Sequence, residues 1–412
     1  MKTHKSVLKN ILSDIAPTKK DISRLKKIQK EILSQLKIPH TKAVVGGSGA
    51  KNTWLKNTHD IDIYVKFDYK KYSNKSKELS DILNKYLKKP FPKLSRVHGS
   101  RDYFQINHEG YTLEIIPILD IKKAEQAKNI TDFSVHHVKY INKQTKKSPK
   151  LANEIRLAKV FARANKFYGA ESYIKGVSGY VLEILVSKYG SFTKFTKNAS
   201  KWKDKTVIGK IKEAERLNWA KKLSPLIIID PVQPDRNAAA ALSNEQYKNI
   251  IKFSKKFTKS PSESFFEQQP ININKLKKKG NLTIIEVQPV KGKKDVSGAK
   301  ALKAFEFIVK HSKNYEIADS LFDYGEILTT YYIVTNKNKI SNEYKHYGPP
   351  LDNKKALVQF KKTNKLPIKT DRKLKKYYVI KKRENNKIRD HLKDLLQREE
   401  VTSRIKNSVL LN

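Results

Sequence analysis

Two acidic residues, Asp60 and Asp62, follow a turn of small residues at positions 46–49. In an extended strand, side chains at positions i and i+2 point to the same face, so Asp60 and Asp62 project together while Ile61 and Ile63 point away. Two carboxylates on one face repel each other unless a cation lies between them. Hard oxygen ligands of this kind suit Mg²⁺. The spacing therefore predicts a magnesium site on a strand.

The turn before this strand reads Gly46-Gly47-Ser48-Gly49. Small residues allow backbone N–H groups to approach a phosphate closely. Each feature alone has an ordinary explanation, because many glycine-rich runs are plain turns and many exposed strands carry two acids. Together they predict a site for a nucleoside triphosphate. We expect a strand end at 44–45 and a short helical turn at 52–55.

A third acid, Glu114, lies in the β-rich run 111–117. An acid inside an apolar strand is costly to bury unless it is paired or bound to a metal. The preceding residues 107–110 are typical of a hairpin turn, and Pro117 is expected to end the strand or lie at its edge. Placed beside Asp60 and Asp62, Glu114 would complete the three carboxylates that two-metal phosphoryl transfer requires.

The composition predicts a polyanionic partner. The chain has 412 residues, 87 Lys and Arg against 40 Asp and Glu, and a formal charge of +47. Basic segments interleaved with Tyr and Phe favour nucleic acid over a membrane surface, because bases stack on aromatic rings. The absence of Cys excludes disulfides, thiolate zinc sites and cysteine nucleophiles, and it fits a cytoplasmic protein. The length predicts two to four domains.

Helical spacing recurs along the first half of the chain. Residues 5–36 predict two helices separated by Pro17, with Asp21 as the N-cap of the second. Residues 149–166 and 178–200 predict two more helices. The first of these carries a basic stripe, which is either a solvated face or a phosphate-binding surface; its residues are Arg156, Lys159 and Arg163.

A strand is expected at 226–230 and helical periodicity at 244–257. A linker at 260–264 is then expected to mark the start of the C-terminal region. β-like and helical runs then alternate, which indicates an α+β C-terminal region with basic surfaces.

These motifs occur together, and in a fixed order, in a known family. The chain closely resembles the archaeal, class I, CCA-adding tRNA nucleotidyltransferases of the polymerase-β superfamily. The resemblance covers most of residues 40–266 and is looser in the last third. It is carried by GGSGAKNTWLKNTHDIDIYV (46–65), LEIIPIL (113–119), TDFSVHHVKY (131–140), NEIRLAKVFARANKFYGAES (153–172), KGVSGYVLEILVSKYGSF (175–192), DPVQPDRNAAAALS (230–243), SPSESFF (260–266) and HYGPPLDNKKALVQF (346–360).

The resemblance implies an α+β fold in three parts. These are a polymerase-β-like nucleotidyltransferase head at 1–140, a helical central nucleotide-binding domain at 141–258, and an α+β C-terminal tRNA-binding body and tail at 259–412. It also implies residue roles. Two Mg²⁺ ions would be held by Asp60, Asp62 and Glu114. The nucleotide would be contacted by Ser48, Lys51, Ser134, His137, Lys159, Tyr168 and Arg236. Of these, Ser48 and Lys51 in the loop and Lys159 and Tyr168 in the central domain would contact the triphosphate, and Arg236 would read the base.

Three positions depart from the family's pattern. Glu114 stands where Asp is usual, and Lys51 stands where Arg is typical, which loses a bidentate fork. Ser134 occupies a position that is commonly Thr, within the run Asp132-Phe133-Ser134-Val135. None of the three changes removes the catalytic mechanism that the resemblance implies.

The implied activity is addition of C, C and A to the tRNA 3′ end from CTP and ATP, without a template and with release of pyrophosphate. The implied partners are the tRNA 3′ end and acceptor–TΨC stem, CTP and ATP, with no membrane and with a homodimer as a candidate assembly. Two alternatives stay open. One is another template-independent RNA nucleotidyltransferase that adds poly(A) or U, and the other is a non-catalytic basic RNA-binding protein.

Overall fold

A computed structural model describes residues 4–56 and 58–411. The chain separates into two compact units, Met1–Pro270 and Ile271–Asn412. Both units combine helices with sheets, and the predicted α+β class is confirmed. The predicted division into 1–140, 141–258 and 259–412 stays a prediction. Within the two described stretches, each helix is too short or too polar to cross a membrane.

The first unit contains eleven of the α-helices assigned to the described residues. They are α1 (His4–Ile15), α2 (Lys19–Gln35), α3 (Gly47–Lys51), α4 (Tyr69–Tyr72), α5 (Leu79–Leu87), α6 (Ser134–Lys147), α7 (Leu151–Ala164), α8 (Gly179–Tyr189), α9 (Phe192–Ala199), α10 (Ile211–Glu215) and α11 (Asn244–Lys259). Its strands are β1 (Thr41–Val45), β2 (Asp60–Phe67), β3 (Ser95–Val97), β4 (Tyr103–His108), β5 (Tyr111–Leu119), β6 (Thr206–Ile208) and β7 (Leu226–Ile228).

A five-stranded sheet in the order β1-β2-β5-β4-β3 dominates the N-terminal part of this unit. Strands β2 and β5 are parallel, and the other neighbours are antiparallel. Alternate residues of β2 are fully buried, namely Ile61, Ile63 and Val65. They pack with α2 and α5 in one hydrophobic core. The opposite face of β2 is thereby left to the two acids, as the alternation predicts.

The remainder of the first unit is mostly helical, with a parallel two-stranded sheet of β6 and β7. Helices α7, α8, α9 and α11 share a core with α1, in which five phenylalanine rings meet edge to face or tilted. Those rings belong to Phe161, Phe192, Phe257, Phe265 and Phe266. This core fixes α7 and α8 side by side, and both helices contribute to the site described below.

The second unit is built on two antiparallel sheets. Its elements are α12 (Ile273–Lys277), β8 (Asn281–Pro289), α13 (Lys294–His311), β9 (Ile317–Asp323), β10 (Thr329–Thr335), β11 (Glu343–Pro350), α14 (Lys354–Thr363), β12 (Lys369–Asp371), β13 (Lys376–Lys382), α15 (Ile388–Gln397), α16 (Glu399–Thr402) and β14 (Ile405–Leu410). One sheet has the order β14-β8-β10-β9 and packs against α13 and α15; the other has the order β11-β13-β12.

Three local expectations are wrong. The helical turn is α3 at 47–51, and 52–55 is irregular. Thr18, not Asp21, is the N-cap of α2, and Asp21 completes the capping box at the third helical position. The helix expected at 178–200 is two helices, because Gly190 takes a left-handed conformation (φ +86°) and ends α8.

Pro117 lies inside β5 rather than at its end. It pairs with Val65 of β2, whereas the pairing of β5 with β4 stops at Ile115. Its missing N–H therefore falls where β5 has lost one neighbour, which agrees with the expectation of an edge position.

Candidate active site

The parallel pairing of β2 with β5 brings the acids together. Asp62 is the direct neighbour of Glu114 across the pair, and Asp60 is the neighbour of Thr112. Because direct neighbours in a sheet share a face, all three acids lie on the face opposite the buried isoleucines. Gln105, on β4, donates from Nε2 to Glu114 Oε1 at 2.8 Å and orients that carboxylate.

The acids destabilise one another's charged forms. Burial, followed by the charge of Glu114, raises the pKa of Asp62 to about 6, and Asp60 adds to the rise. Tyr103 lies near the same charges, and burial together with Glu114 raises the pKa of its hydroxyl to about 12. The charges of Lys51 and Lys159 oppose the rise at Asp62 but do not cancel it. The donors of the three acids are hard oxygens, so Asp60, Asp62 and Glu114 fit a divalent ion such as Mg²⁺.

The structure brings the small-residue turn against this face. Gly46 N–H donates to the backbone oxygen of Asp62 at 2.7 Å. Gly47 has φ +52°, and a Cβ added there would lie 1.6 Å from Asp62 Oδ2. A Cβ at Gly46 would strike the Tyr64 ring at 2.4 Å. Glycine is required at both positions because the backbone touches the side chains of β2.

Ser48 lies in α3, one residue beyond this contact. Ser134 begins α6 and lies close enough to Tyr64 to affect the pKa of the Tyr64 hydroxyl, and the ring of Tyr64 packs on Gly46. Asn142 of α6 donates to the Ala50 backbone oxygen at 3.2 Å, which ties α6 to α3. Ser48 therefore belongs to the turn itself, and Ser134 lies on a helix that borders it.

Two predicted triphosphate lysines meet at one buried carboxylate. Lys51 Nζ lies 2.6 Å from Glu183 Oε2, and Lys159 Nζ lies 2.9 Å from Glu183 Oε1. The side chain of Glu183 has no exposed surface, while those of Lys51 and Lys159 are 10% and 6% exposed. The Thr53 hydroxyl donates to Glu183 Oε1 at 2.9 Å and accepts from Lys159 at 3.0 Å.

The basic stripe of α7 divides into three different roles. Arg156 is buried and donates to the backbone oxygens of Trp54 and Asn52 at 2.8 and 2.7 Å, so it fastens the segment after α3. Lys159 is buried in the Glu183 network. Arg163 is exposed and lies 4.8 Å from the centre of the Tyr168 ring. A solvated face is therefore the wrong interpretation for Arg156 and Lys159.

Tyr168 lies beside Lys159 at the beginning of α8. A Cβ at Gly179 would lie 3.0 Å from the Tyr168 hydroxyl and 3.6 Å from Lys159 Cε. Burial raises the pKa of the Tyr168 hydroxyl, which stays a neutral donor at neutral pH. Tyr168 and Lys159 thus converge near the N-terminus of α8, where N–H groups favour an anion.

His137 and Arg236 meet at a second buried acid, Asp230. Arg236 Nη1 lies 2.8 Å and His137 Nε2 lies 3.4 Å from Asp230 Oδ2, and the Tyr180 hydroxyl donates to Oδ1 at 2.9 Å. The rings of His137 and Tyr180 stack with centroids 4.1 Å apart. Burial opposes the charge of Asp230, but the proximity of His137, the backbone N–H of Val232 and the charge of Arg236 hold its pKa at about 2. The Arg236 guanidinium, 30% exposed, is thus held by a charged partner.

A separate group that could hold a metal ion lies away from these acids, at Glu31, His108 and Glu109. One ligand atom from each lies within 4.8 Å of the others. It mixes imidazole and carboxylate donors on α2 and the β4–β5 turn, whereas the three acids of β2 and β5 offer oxygen alone.

Comparison with known proteins decides the family. Residues 25–161 match the nucleotidyltransferase domain family, and residues 153–267 match the second domain of tRNA nucleotidyltransferases. A CCA-adding enzyme of Nanoarchaeum equitans is 36% identical over 345 residues, which span 81% of this chain and 83% of the relative. The chain belongs to the CCA-adding enzyme family. A CCA-adding enzyme of Methanocaldococcus jannaschii is 28% identical and matches 96% of the chain and 91% of the relative.

Solved structures share the fold of this CCA-adding family member. A cytoplasmic RNA terminal U-transferase aligns with a TM-score of 0.52 over 65% of this chain and all of that one, at 15% identity. A poly(U) polymerase aligns equally well, with the same TM-score, coverage and identity. At this identity the likeness concerns the fold, and together with the match of residues 25–161 to the nucleotidyltransferase domain family it confirms the predicted polymerase-β-like fold.

Two residues that organise the site, Glu183 and Asp230, were not identified from the sequence. The signal for Glu183 was present, because it is the single acid in the apolar run 181–186, the same pattern that singled out Glu114. Asp230 directly follows the buried run 226–229. Their partners lie far along the chain, as Lys51 does from Glu183, so the sequence could flag these acids but not name what they bind.

Proposed function

We propose that this chain adds C, C and A to the 3′ end of tRNA from CTP and ATP, without a nucleic-acid template, and releases pyrophosphate. Membership of the CCA-adding family carries the proposal. The site supports it, since three carboxylates, a glycine turn, two lysines and a charge-held arginine occupy adjoining elements. These are the parts needed for a metal, a triphosphate and a base.

In the proposed reaction, the tRNA 3′-oxygen attacks the α-phosphorus in line, and the bond from the α-phosphorus to the bridging oxygen breaks as pyrophosphate leaves. Glu114, oriented by Gln105, accepts the hydroxyl proton directly or through a water. Lys51, Lys159 and Tyr168 bind the triphosphate, and Arg236 presents donors to the base edge. Two Mg²⁺ ions bound by Asp60, Asp62 and Glu114 would stabilise the charge on the attacking and leaving oxygens.

One assay separates this function from its alternatives. The full chain is incubated with Mg²⁺, a tRNA lacking its CCA end and one labelled nucleotide at a time. CCA addition requires CTP first, then ATP, and stops after three nucleotides. Long tails from ATP or UTP would instead identify a poly(A)- or U-adding enzyme. Binding of tRNA without any incorporation would identify a non-catalytic RNA-binding protein.

The sheet of β11, β13 and β12 supports the proposed contact with the tRNA acceptor–TΨC stem. Helix α14 covers one face, where Phe360 stacks on His346 with centroids 5.8 Å apart. Lys345 and Tyr347 alternate with His346 along β11 and therefore lie on the other face. There Lys345 Nζ is 4.6 Å from the centre of the Tyr378 ring, and the centroids of the Tyr347 and Tyr378 rings are 5.8 Å apart. Aromatic rings framed by lysines are a surface on which RNA stacks and neutralises its phosphates.

The role of this face is tested in the full chain with Lys376→Ala and Tyr378→Ala. Removing a phosphate contact should flatten the dependence of log affinity on log salt by about 0.7–0.9. Lys361→Ala removes the same charge from α14, on the covered side, and serves as the matched control. If all three variants bind tRNA like the unmodified chain, the contact lies elsewhere.

The remaining features of the proposal are organisational. A head at 1–140, a central domain at 141–258 and a body and tail at 259–412 would bind metal, nucleotide and tRNA respectively. We place the protein in the cytoplasm, where tRNA is its substrate. A homodimer stays a prediction that sedimentation velocity of the purified chain would test.

A further inference from the structure

The buried Glu183 lies at the centre of the proposed triphosphate site without facing solvent. It accepts from Lys51, Thr53 and Lys159, at 2.6, 2.9 and 2.9 Å. Lys51 and Thr53 come from α3 and the segment after it, Lys159 comes from α7, and Glu183 itself lies on α8. A single carboxylate therefore joins three parts of the chain that lie up to 132 residues apart.

The donors of the two lysines are used unequally. Lys159 has three N–H groups and lies near three acceptors, namely Glu183 Oε1 at 2.9 Å, Thr53 Oγ1 at 3.0 Å and the Thr53 backbone oxygen at 3.2 Å. A phosphate oxygen must displace one of them, and the longest contact is the weakest. Among the residues that the structure describes, Lys51 donates to Glu183 alone, which leaves donors for a ligand.

Two ammonium groups beside one carboxylate leave a net positive charge in a buried place. The pKa of Lys159 lies below its ordinary value, chiefly because of burial and also because of the positive charges of Lys51 and Arg163, while Glu183 opposes this fall. Burial alone would raise the pKa of Glu183, but the two lysines hold it at about 2. Of the other charged groups, Asp62 is close enough to interact with both lysines. Glu183 is thus the buried anion that balances them.

We propose that Glu183 is a positioning residue of the triphosphate site, whose buried carboxylate fixes the Lys51 and Lys159 ammonium groups and balances their charge, so that both are placed for the phosphates. This inference rests on the proposed function, in which the triphosphate binds at these lysines. Glu183 itself lies behind the lysines and acts through them.

Substituting Glu183 by glutamine or by aspartate tests two parts of the proposal separately, namely the charge of the carboxylate and its position. Glu183→Gln keeps the shape of the side chain and removes its charge, so that two buried ammonium groups face each other and one loses its proton more readily. Glu183→Asp keeps the charge but is one methylene shorter, and it cannot reach both lysines. Thr53→Val removes the hydrogen bond that the hydroxyl donates to Glu183 and the one that it accepts from Lys159, without changing any charge, and it is the matched control.

The measurement is calorimetric binding of CTP with Mg²⁺ and without tRNA, from about pH 7.5, where the γ-phosphate is ionised, to about pH 9.5. For the unmodified chain we expect a shallower fall in affinity over this range than for Glu183→Gln. Glu183→Gln should bind CTP about tenfold more weakly than the unmodified chain at about pH 7.5. Its affinity should fall a further tenfold per pH unit above the lowered lysine pKa. Glu183→Asp and Thr53→Val should weaken binding without that slope. ATP should respond as CTP does.

Several results would overturn the inference. They are wild-type CTP affinity in Glu183→Gln, a pH slope equal to that of Thr53→Val, or wild-type affinity in Glu183→Asp. If Glu183→Gln does not fold, Glu183→Asp still decides whether the position of the lysines matters. Because no tRNA is present, a chain that binds CTP with the expected slope but adds no CCA would refute the proposed function and leave this inference standing.

Discussion

Replacing Gly47 with alanine should show how much the close contact between the turn and Asp62 contributes to the rate, separately from the stability of the fold. The added Cβ would lie 1.6 Å from Asp62 Oδ2, whereas such contacts are essentially never shorter than 3.0 Å. Either the carboxylate or the turn must move by at least about 1.4 Å. A misplacement of about 1 Å can cost a hundredfold in rate, so we expect incorporation to fall by at least ~100-fold, or ~2.7 kcal/mol of barrier.

A second effect of the same substitution concerns the backbone. Gly47 has φ +52°, and an L-residue in the left-handed region costs ~1–2 kcal/mol. Gly190→Ala is the matched control, because Gly190 has φ +86° and nothing lies within 4 Å of an added Cβ. Both variants should lose similar stability, and Gly47→Ala alone should lose its rate.

The assay is single-turnover incorporation of labelled CMP into tRNA lacking its CCA end, with thermal unfolding measured on the same samples. CTP is kept saturating, so that weaker nucleotide binding cannot imitate a slower step. If Gly47→Ala retained activity within about threefold of Gly190→Ala, the contact between the turn and Asp62 would not matter for catalysis, and the placement of the acid would need revision.

Four further outcomes follow from the site. Asp62→Ala should reduce incorporation at least ~1,000-fold, or ~4 kcal/mol, while tRNA binding persists; activity within tenfold of wild type would reject the metal assignment. Glu114→Gln should be severe and Glu114→Asp mild, and equal tolerance of both would make Glu114 a plain strand residue. Arg236→Ala should alter the choice between CTP and ATP more than the common KM, which steady-state kinetics with each nucleotide would decide. Because the pKa of Asp230 is held at about 2, below its ordinary 3.8, its stabilisation is complete above about pH 4 and is lost as pH falls towards 2; acid titrations in which Asp230→Asn and wild type keep a constant stability difference would contradict this.

The sequence predicts the site where local rules govern it. The alternation of β2 places Asp60 and Asp62 on one face and the isoleucines in the core, and the structure agrees. It also indicates α7, whose helical period is strong. The boundary of α3 was misplaced because a left-handed residue at Asn52 ends that helix, and glycines begin it. Sequence periodicity does not report such conformations.

Long-range partners lie beyond this kind of reasoning. The stripe on α7 predicts three basic residues on one face, but which of them are buried depends on contacts made across more than a hundred residues. Arg156 binds backbone oxygens, and Lys159 is enclosed around Glu183. Only the packing of α7 against α8 and the segment after α3 distinguishes a buried lysine from a solvated one, and that packing is a property of the whole core.

The pairing of β2 with β5 makes the chemistry depend on strand register. Asp62 meets Glu114 only in the observed alignment, and a slip of one residue would turn every side chain of β5 to the opposite face. Leu113 and Ile115, which are fully buried, would then be exposed among the acids, and Glu114 would enter the hydrophobic core. The apolar neighbours of Glu114 therefore fix the register of β5 against β2. Residues that touch no substrate fix which acids share a face, and an enzyme that folds in another register would be inactive as well as unstable.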